Sequence, residues 1–456
     1  MPLEARAVNE LLKVLDIQRA LEDSDLPARI ERVAVTPDFH KGAGIPVGTV
    51  MQTGGFIPPA AVGHDVGCGM RLHLTSLTHD ALEPHLDALE HQLRALFFEG
   101  RRQIALTGVQ RQAVLLEGVS GLLQVPGQGG LWAELRRQDW QRELDHGDPA
   151  ARRQVPQLYG LRDWIGAPHD VTSDSQSGSL GGGNHFAEIQ VVHRILDPVA
   201  AHQWGLKKGM VSVMIHSGAL GVGHFAGQMA QRLARDAWSK GAPAGALCPL
   251  VHAEAPQAFG DALNVLQTAA HFAAVNRLWL ALMVKGALEG LTRELDFPLL
   301  YDAAHTFIWP REDRWIHRKG ATPARGFGDL QNTAFASTGE PVLVPGSMGA
   351  SSFVLAGREN TEALWSASHG AGRQRTRGGA MDGDDQAFAQ FLEDFRVVTP
   401  LDWKRARQDI RQRKLAELKE EAPFAYKEIG PVIETLNEAG MARSVAELRP
   451  LLTVKG

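Results

Sequence analysis

One short stretch of the chain, residues 61–71, combines two metal-binding side chains with a bare backbone. It reads A-V-G-H-D-V-G-C-G-M-R and places Asp65 three residues before Cys68. Cys68 is one of only two cysteines in 456 residues. A carboxylate and a thiolate at this spacing around a glycine turn can face one point. The pair therefore predicts the acidic and thiolate ligands of a metal site, although a buried structural thiol would explain Cys68 alone.

Histidines in glycine-rich loops or at strand ends supply further donors. They are His185 in G-G-G-N-H-F, His216 in M-I-H-S-G-A, His305 in Y-D-A-A-H-T and His369 in S-A-S-H-G-A-G-R. Taken singly, each is better explained as a hydrogen-bonded core or loop histidine. Together with Asp65 and Cys68, they form a donor set that suits a divalent transition metal such as Mn, Zn, Co or Fe. A thiolate can bridge two metals, which would explain a single cysteine at the site.

Glycine loops and nearby cations indicate a second function, phosphate binding. The runs G-G-G-N-H, P-G-S-M-G-A-S-S and H-G-A-G-R offer bare backbone N–H groups that can form anion-binding nests. Arg373 ends one of these runs, and Arg318, Lys319 and Arg325 lie in I-H-R-K-G-A-T-P-A-R. Tight turns with surface charge explain any single loop equally well. With the metal donors, the loops favour phosphoryl chemistry on a polyanion, where metal ions act as Lewis acids and templates.

The bulk composition is that of an ordinary globular protein. Hydrophobic residues make up 44% and charged residues 22% of the chain. The net charge of −5 argues against general electrostatic coating of nucleic acid but allows a local basic groove. No apolar run reaches the roughly 18 residues of a membrane span, and the N-terminus lacks an apolar signal region. Two cysteines exclude a disulfide framework, so we expect a reducing, cytoplasmic setting.

Several common catalytic motifs are absent from the sequence. It contains no G-x-x-x-x-G-K-[ST] phosphate loop, no H-E-x-x-H and no C-x-x-C. The lysine signature K-x-D-G of many nucleotide-dependent ligases is also missing. Any nucleotide chemistry must therefore use other residues.

Strands and helices that position these residues alternate without βαβ regularity. Residues 33–75 predict strands punctuated by glycine, residues 210–216 predict a buried strand ending on His216, and residues 341–356 predict strand, glycine turn and strand. Apolar spacing predicts helices at 78–98, 224–238 and about 260–294, and the charged stretch 402–421 predicts a solvated helix face. The order in residues 100–165 stays open. We therefore predict an α+β fold without separable modules.

Seven motifs of the chain resemble those of the RtcB family, the GTP- and manganese-dependent RNA-splicing ligases. In chain order they are P-D-F-H-K-G-A-G-I-P-V-G-T-V, H-D-V-G-C-G-M, G-G-G-N-H-F-A-E, M-I-H-S-G-A-L-G, H-R-K-G-A-T, V-L-V-P-G-S-M-G and S-H-G-A-G-R. The C-terminal runs E-E-A-P-F-A-Y-K and L-R-P-L-L-T-V-K-G are also similar. The resemblance extends from about residue 33 to the end. It implies one large mixed domain over residues 1–456, built on packed β-sheets flanked by helices, with a variable region at about 100–165.

The resemblance also implies a reaction. Family members join RNA ending in a 3′-phosphate or 2′,3′-cyclic phosphate to RNA with a 5′-hydroxyl, in tRNA splicing or RNA repair. A histidine attacks the α-phosphate of GTP and becomes guanylylated. The guanylate then passes to the RNA 3′-phosphate, and the 5′-hydroxyl displaces GMP. The cofactors implied are GTP and two Mn²⁺, with other divalent metals as alternatives.

Residue roles follow from the same resemblance. The guanylylated nucleophile corresponds to His369, and Lys319 and Arg373 correspond to catalytic cations that handle phosphate. The metal ligands correspond to Asp65, Cys68, His185, His216 and His305. The nucleotide-binding positions correspond to Asn184, Glu188, Ser347, Gly349, Ser352, Gly370, Ala371, Gly372, Tyr426 and Lys455.

The sequence departs from the family pattern near the expected substrate. Leu220 stands where the family pattern H-[ST]-G-S-R-G has arginine, and losing a charge-assisted hydrogen bond typically costs about 1.5–3 kcal/mol. Thr306 replaces an asparagine, Phe353 a tyrosine, and Pro323 ends H-R-K-G-A-T-P where the family has arginine. A divergent paralogue that acts in RNA repair or on another phosphate-ended substrate is therefore an alternative.

Three functions stay open at this point. The first is an RNA ligase that uses GTP and metal. The second is a metal-dependent phosphoesterase or end-capping guanylyltransferase without ligation, and the third is a nucleotide-sensing or RNA-binding protein without turnover. The partners expected for the ligase are RNA with the ends described above, GTP and an archease-like activator. We expect a monomer that does not associate with membranes.

Overall fold

The structure, a computed structural model, describes residues 3–101, 104–125, 127, 130–167, 176–238, 247–292, 295–403 and 405–456. Within these ranges strands and helices alternate along the chain, as expected for the predicted α+β class. The strands are β1 Arg29–Ala43, β2 Ile45–Gly54, β3 Phe56–Ile57, β4 Gly69–Thr78, β5 Phe186–Ile195, β6 Met210–Ser217, β7 Leu250–Val251, β8 Leu299–Ala304, β9 Thr306–Arg311, β10 Arg314–Lys319, β11 Ala321–Pro323, β12 Pro341–Val344, β13 Ser352–Gly357, β14 Ser366–Ser368, β15 Val397–Val398 and β16 Ala442–Val454.

Helices cover the sheets and fill the segments between them. They are α1 Ala5–Leu11, α2 Val14–Glu22, α3 His79–Leu82, α4 Leu86–Phe98, α5 Gly108–Glu117, α6 Val119–Gln124, α7 Gly130–Arg136, α8 Trp140–Asp145, α9 Arg162–Ile165, α10 Pro198–Trp204, α11 Leu220–Ala237, α12 Pro256–Thr292, α13 Arg377–Ala380, α14 Asp385–Asp394, α15 Gln408–Lys419 and α16 Ile429–Glu438. Short 3₁₀ turns occupy Pro59–Ala61, Glu83–His85, Pro149–Arg152, Phe327–Asp329 and Pro423–Ala425.

The largest sheet is antiparallel along the order β12-β13-β16-β5-β6-β4-β8, with β15 added in parallel to β16. A second antiparallel sheet has the order β1-β2-β10-β9. Two strand pairs, β3 with β7 and β11 with β14, are separate from these sheets. The fold is therefore several packed sheets with helices around them, which confirms the predicted architecture.

Alternation along the central strands divides the core into two faces. Val211, Val213 and Ile215 of β6 point into a cluster shared with α12, whereas Met214 joins a cluster on the opposite face. This period of two is what a strand buried on both sides requires. The α12 helix is buried almost all round, because apolar residues surround its axis over most of its length. It forms the centre of the core behind the strands that carry the candidate ligands.

The predicted elements are confirmed, with local differences. The strand at 210–216 and the strand–turn–strand at 341–356 are present as β6 and as β12 with β13. The helix predicted at 78–98 is interrupted by a 3₁₀ turn at Glu83–His85, because Pro84 cannot continue the hydrogen-bond ladder. The helix predicted from residue 224 begins earlier, at Leu220. The charged stretch 402–421 contains α15, which buries only Leu415, Leu418 and Lys419.

The region from 100 to 165 is mostly helical in its described part, from α5 to α9. Residues 102–103, 126 and 128–129 of this region lie outside the described residues, as do residues 293–294 at the end of the predicted long helix and residue 404 of the charged stretch. Among the helices that the structure describes, none is long and apolar enough to cross a bilayer.

Candidate active site

Strand ends bring the candidate metal ligands to one edge of the large sheet. His185 immediately precedes β5, and Cys68 immediately precedes β4. His216 lies near the end of β6, and His305 follows the last residue of β8. The strands pair in the order β5-β6-β4-β8, and His216 is in register with both Phe186 and Met70. Since neighbouring strands run antiparallel, two strand starts and two strand ends meet at the same edge.

Donor atoms of these side chains converge within contact distance. Cys68 Sγ lies 3.3 Å from His185 Nε2 and 3.3 Å from His216 Nε2. His216 Nε2 lies 3.3 Å from His305 Nε2, and His185 Nε2 lies 3.2 Å from Asp65 Oδ2. Around a tetrahedral ion with metal–nitrogen bonds of about 2.0–2.1 Å, neighbouring nitrogens would be roughly 3.3 Å apart. The observed spacing is therefore compatible with ligands around one ion, and also with hydrogen bonds among the same side chains.

Two overlapping groups of donors share one cysteine. Cys68, His216 and His305 form one group, and Asp65, Cys68 and His185 form the other. Within each group all the donor atoms lie within 4.8 Å of one another. A thiolate has lone pairs for two ions, so this arrangement suits a pair of metals bridged by Cys68.

Protonation in the site favours cation binding. Burial, followed by the neighbouring imidazoles, lowers the pKa of His216 and of His305 well below the ordinary value, so both are neutral with free lone pairs. Burial and the carboxylate of Asp65 raise the pKa of the Cys68 thiol well above its ordinary value. A thiolate at Cys68 therefore requires a compensating cation. A bound metal ion supplies this positive charge when it displaces the thiol proton. The donor set therefore fits a divalent transition metal.

The ligand loops approach one another closely because glycine follows His216 and Ser217. A Cβ atom added to Gly218 would collide with Asp65 Oδ1 and press against Cys68. Any side chain at this position would push the acidic and thiolate ligands away from the histidines. The glycine-rich setting seen in the sequence thus has a packing cause at this residue.

His369 lies beside this cluster and follows β14. Its ring centroid is 4.7 Å from that of His305. Its Nδ1 atom lies 2.6 Å from Asp38 Oδ2, and its backbone N–H donates to the same oxygen at 3.2 Å. Asp38 is fully buried in β1 and also accepts a hydrogen bond from Thr36 Oγ1 at 2.5 Å. With Nδ1–H donated to Asp38, the Nε2 lone pair of His369 is free to attack an electrophile.

Asp38 was not assigned a role from the sequence. Burial alone would raise its pKa, but the charge and hydrogen bond of His369 hold the pKa of Asp38 below the ordinary value. The carboxylate is therefore ionised and can stabilise positive charge on the imidazole. The motif P-D-F-H-K contained the signal, since a buried aspartate in a strand needs a partner, but the partner lies 331 positions away.

Lys319 is the last residue of β10 and lines the same cleft as His369. Its Nζ donates to the carbonyl oxygens of Ala43 and Ile45, the latter at 2.8 Å. Burial lowers the pKa of Lys319 to about 8. The following residue, Gly320, has φ +60° and packs against Val47 and the ring of His369, where a Cβ atom would clash. The turn after Lys319 thus packs against the candidate nucleophile, and Lys319 and His369 line the same cleft.

Arg373 and Lys455 meet at one buried carboxylate. Arg373 Nη1 donates to Glu421 Oε1 at 3.1 Å and to Tyr426 Oη at 3.3 Å. Lys455 Nζ lies 3.8 Å from Glu421 Oε2 and donates to the backbone oxygen of His185 at 3.0 Å. Burial lowers the pKa of Lys455 to about 8. The arrangement links the C-terminal strand to the H-G-A-G-R loop and to a candidate metal ligand.

Glu188 of β5 and Ser352 of β13 share one buried hydrogen-bond donor. Gln190 Nε2 donates to Glu188 Oε1 at 2.7 Å and to Ser352 Oγ at 2.9 Å. Burial raises the pKa of Glu188 to about 7. Glu188 lines the open cleft that the donors also line, whereas Ser352 is joined to Glu188 only through Gln190 and does not line the cleft.

A single cleft of about 1180 Å³ joins most of the predicted site residues. Its lining includes Asp65, Cys68, Asn184, Glu188, His216, His305, Lys319, Ser347, His369, Gly370, Ala371, Gly372, Arg373, Tyr426 and Lys455. Three predicted residues do not line it. They are His185, whose Nε2 nevertheless contacts Asp65 and Cys68, Ser352, and Gly349, which packs against Phe391.

Residues that depart from the family pattern occupy different surroundings. Leu220 starts α11 with φ +50°, is half-buried, and packs its side chain over Gly181 instead of lining the cleft. Thr306 lines the cleft and accepts a hydrogen bond from Gly320 N–H at 3.3 Å. Phe353 is buried in an apolar cluster, and Pro323 pairs with Ser366 between β11 and β14. Only Thr306 therefore changes a side chain that faces the candidate site directly.

The sequence of the chain is similar to a known protein family and to individual members of it. The sequence model of a family described as tRNA-splicing ligase RtcB matches residues 20–456. The chain is 31% identical to the tRNA-splicing ligase RtcB of Thermococcus kodakarensis, with 100% of this chain and 95% of the relative covered. It is 33% identical to the RNA-splicing ligase RtcB of Mycobacterium bovis, with 94% and 98% covered. It is 31% identical to the tRNA-splicing ligase RtcB of Pyrobaculum aerophilum, with 100% and 95% covered. The matched range contains every candidate site residue.

Proposed function

The chain belongs to the RtcB family of tRNA-splicing ligases, and we propose that it is an RNA ligase that uses GTP to join a 3′-phosphate or 2′,3′-cyclic phosphate end to a 5′-hydroxyl end. The observation that carries this proposal is the position of His369. Its Nδ1 atom is 2.6 Å from a buried carboxylate, and its ring is next to His305 in the donor cluster. An imidazole with one nitrogen oriented by a hydrogen bond and a lone pair on the other nitrogen is suited to nucleophilic attack on phosphorus.

In the first step proposed, His369 Nε2 attacks the α-phosphorus of GTP. A nitrogen–phosphorus bond forms, the bond from the α-phosphorus to the bridging oxygen breaks, and pyrophosphate leaves. Asp38 accepts the Nδ1–H and stabilises the positive charge that develops on the ring. Lys319, which lines the same cleft, supplies positive charge for the phosphates.

In the second step, an oxygen of the RNA 3′-phosphate attacks the same phosphorus and the nitrogen–phosphorus bond breaks, so that His369 is regenerated. In the third step, the RNA 5′-hydroxyl attacks the RNA 3′-phosphate and GMP leaves. A cyclic phosphate end first requires hydrolysis to the 3′-phosphate. Arg373 lies four residues after His369 and presents a planar fork to the transferred phosphate once its contacts to Glu421 and Tyr426 exchange.

The metal ligands proposed are Asp65, Cys68, His185, His216 and His305. Two divalent ions, Mn²⁺ in the proposal, would supply Lewis-acid charge for the phosphates and the leaving group. The chain's own contribution is to hold three imidazoles and one shared sulfur atom at fixed spacing. His185 Nδ1 donates to Leu180 O at 3.1 Å, which leaves its Nε2 lone pair directed at Cys68 and Asp65.

Most of the proposed nucleotide-binding residues line the same cleft, and they offer both backbone and side-chain groups. Gly370, Ala371 and Gly372 offer N–H groups next to the nucleophile in the chain, and Asn184 and Glu188 add polar side chains to the cleft lining. Ser347, Gly349, Ser352, Tyr426 and Lys455 complete the proposed set. The family resemblance also leads us to propose a cytoplasmic monomer with an archease-like activator.

A joining assay tests this function. An RNA with a radiolabelled 3′-phosphate is mixed with an RNA bearing a 5′-hydroxyl, GTP and Mn²⁺, and the product is treated with phosphatase. Ligation makes the label resistant to phosphatase and places it in a product with the combined length of the two RNAs, whereas capping of the labelled end with GMP gives resistance without that length. His369→Ala should abolish the product, whereas His202→Ala, a change in the exposed part of α10, should leave it unchanged.

Other outcomes select other functions. Hydrolysis of a cyclic phosphate end without any joined product would replace ligation by phosphoesterase activity. RNA or GTP binding without either reaction would leave a binding protein. Both results would contradict the ligase proposal.

A further inference from the structure

Two adjacent residues of α12, Asn276 and Arg277, contact the loops that carry the candidate metal ligands. Neither lines the cleft, and both are fully buried, with 0% and 1% of their surface exposed. Burial of a guanidinium group is costly unless every N–H finds an acceptor. The acceptors of the Arg277 and Asn276 side chains therefore indicate which parts of the fold these two residues hold in place.

Arg277 bonds to two ligand loops with one nitrogen. Its Nη1 donates to Gly67 O at 2.8 Å, next to Cys68, and to Ser217 O at 3.1 Å, next to His216. Both hydrogens of this nitrogen are thus used on the two loops. The other side of the guanidinium binds Asp302, with Nη2 donating to Oδ1 at 2.6 Å and Nε to Oδ2 at 3.1 Å.

Asp302 extends the contact to the third ligand strand. It lies in β8, which ends one residue before His305, and the backbone N–H of His305 donates to Cys68 O at 2.8 Å. Asp302 Oδ2 also accepts from Arg71 Nη1 at 3.1 Å, and Arg71 in turn pairs with the buried Glu143 of α8. The carboxylate is therefore fixed from two sides.

Asn276 reaches the fourth ligand loop. Its Nδ2 donates to Ser179 O at 2.9 Å and to Ser217 Oγ and Gly218 O at 3.3 Å each. Ser217 Oγ donates to Leu180 O, the same oxygen that accepts from His185 Nδ1. The amide therefore joins the loop before His185 to the loop after His216.

We propose that Asn276 and Arg277 are positioning residues that hold the loops of Cys68, His185, His216 and His305 in the geometry required for metal binding. The inference rests on the metal centre in the proposed function and adds two residues to it that touch no substrate and no metal. Arginine is needed because a planar fork can bind two carbonyls and a carboxylate at once, which the single ammonium of lysine cannot do with the same geometry.

The test measures metal affinity and the metal's spectrum, independent of turnover. Co²⁺ is titrated into the metal-free protein, and the thiolate-to-cobalt charge-transfer absorption and the dissociation constant are recorded. The variants are Arg277→Lys and Asn276→Asp. The second replaces a donor by an oxygen that would face three acceptor oxygens.

Matched controls come from buried or helical residues of the same type. Arg94→Lys changes an arginine of α4 that is 5% exposed and pairs with Glu90 and Asp402. Asn264→Asp changes another asparagine of α12, which accepts a hydrogen bond from Arg153. Among the described residues, the ion pairs of Arg94 and the side-chain hydrogen bond of Asn264 go to residues outside the four ligand loops.

We expect Arg277→Lys and Asn276→Asp each to weaken Co²⁺ binding by about 10–100-fold and to shift the charge-transfer band, with the controls at wild-type values. A folded Arg277→Lys variant with wild-type affinity and spectrum would overturn the inference. If Arg277→Lys does not fold, Asn276→Asp decides in the same way. Wild-type protein that binds no Co²⁺, Mn²⁺ or Zn²⁺ would refute the proposed metal centre itself, which distinguishes the two failures.

Discussion

Asp38 offers the sharpest test of how the candidate nucleophile works. The carboxylate is fully buried, and its Oδ2 atom accepts both the Nδ1–H and the backbone N–H of His369. When His369 Nε2 bonds to phosphorus, the imidazole gains positive charge. The interaction with Asp38 is therefore stronger in the transition state than in the resting enzyme, which is the condition for it to accelerate the step.

Asp38→Asn should remove the charge and keep the orientation. The two N–H groups of His369 need an acceptor, so the amide oxygen should face them and the amide nitrogen should face Thr36. Thr36 Oγ1 can then turn its proton to Gly48 O, which lies 3.2 Å away. A charged acceptor is worth about 1.5–3 kcal/mol and a neutral one about 0.5–1.5, so the loss is about 1–1.5 kcal/mol. At 1.36 kcal/mol per factor of ten, guanylylation should slow by about tenfold.

Asp38→Ala should be more damaging, because both acceptor and charge are lost. The full contribution of about 1.5–3 kcal/mol corresponds to a loss of about 10–150-fold. The imidazole also becomes free to place its proton on Nε2, which blocks attack. The assay is the single-turnover rate of GMP transfer from labelled GTP to the protein at saturating metal.

Asp197→Asn is a suitable control for this series. Asp197 is 9% exposed and caps α10, where asparagine is an equally good cap. Metal affinity should be unchanged in all three variants, since Asp38 is outside both donor groups. A folded, metal-loaded Asp38→Ala protein that is guanylylated at the wild-type rate would refute the assigned role of the carboxylate.

Three further changes have defined outcomes. Cys68→Ala should abolish both the retention of the two metals and the labelling with GMP, whereas Cys248→Ala should leave both unchanged. Full metal content in Cys68→Ala would contradict the shared-thiolate site. Because burial lowers the pKa of Lys319 to about 8, its charge is present below that pH and lost above it. The kcat/KM for GTP should therefore fall as pH rises past about 8, less steeply in Lys319→Arg, and a flat profile to pH 9.5 would be inconsistent with this role. Leu220 packs over Gly181 outside the cleft lining, but an arginine side chain is long enough to extend from there toward the cleft. Leu220→Arg should therefore raise the rate of joining by up to about tenfold compared with Leu220→Met, and equal rates would contradict a role for an arginine at this position.

The fold class and many of the strands and helices could be predicted from the sequence, because the apolar patterns that indicate them are local. The strand M-V-S-V-M-I-H and the long alanine-rich helix α12 are recognisable from apolar patterning alone. The interruption of the helix at Pro84 follows from the missing backbone N–H of proline. The short 3₁₀ turn that replaces the helix there depends on how the neighbouring residues pack. The sequence pattern also indicated that the metal donors would meet, because strand ends and glycine turns place their side chains at one edge of a sheet.

Contacts set by the tertiary fold could not be predicted in this way. The pair Asp38–His369 depends on how β1 lies against β14, and the contacts of Arg277 depend on where α12 passes behind three strands. Both involve residues that look unremarkable in the sequence, a strand aspartate and a helix arginine. Their roles become visible only when their buried polar atoms are matched with partners.

The most direct test of the proposed reaction is to locate the covalent adduct. The protein is incubated with α-labelled GTP and Mn²⁺, digested under alkaline conditions, and its peptides are identified by mass spectrometry. The account predicts one GMP on the peptide that contains His369, linked by an acid-labile, alkali-stable bond, and no label in His369→Ala. A GMP adduct on a lysine or on another histidine, or a metal-loaded protein that never acquires label, would contradict it.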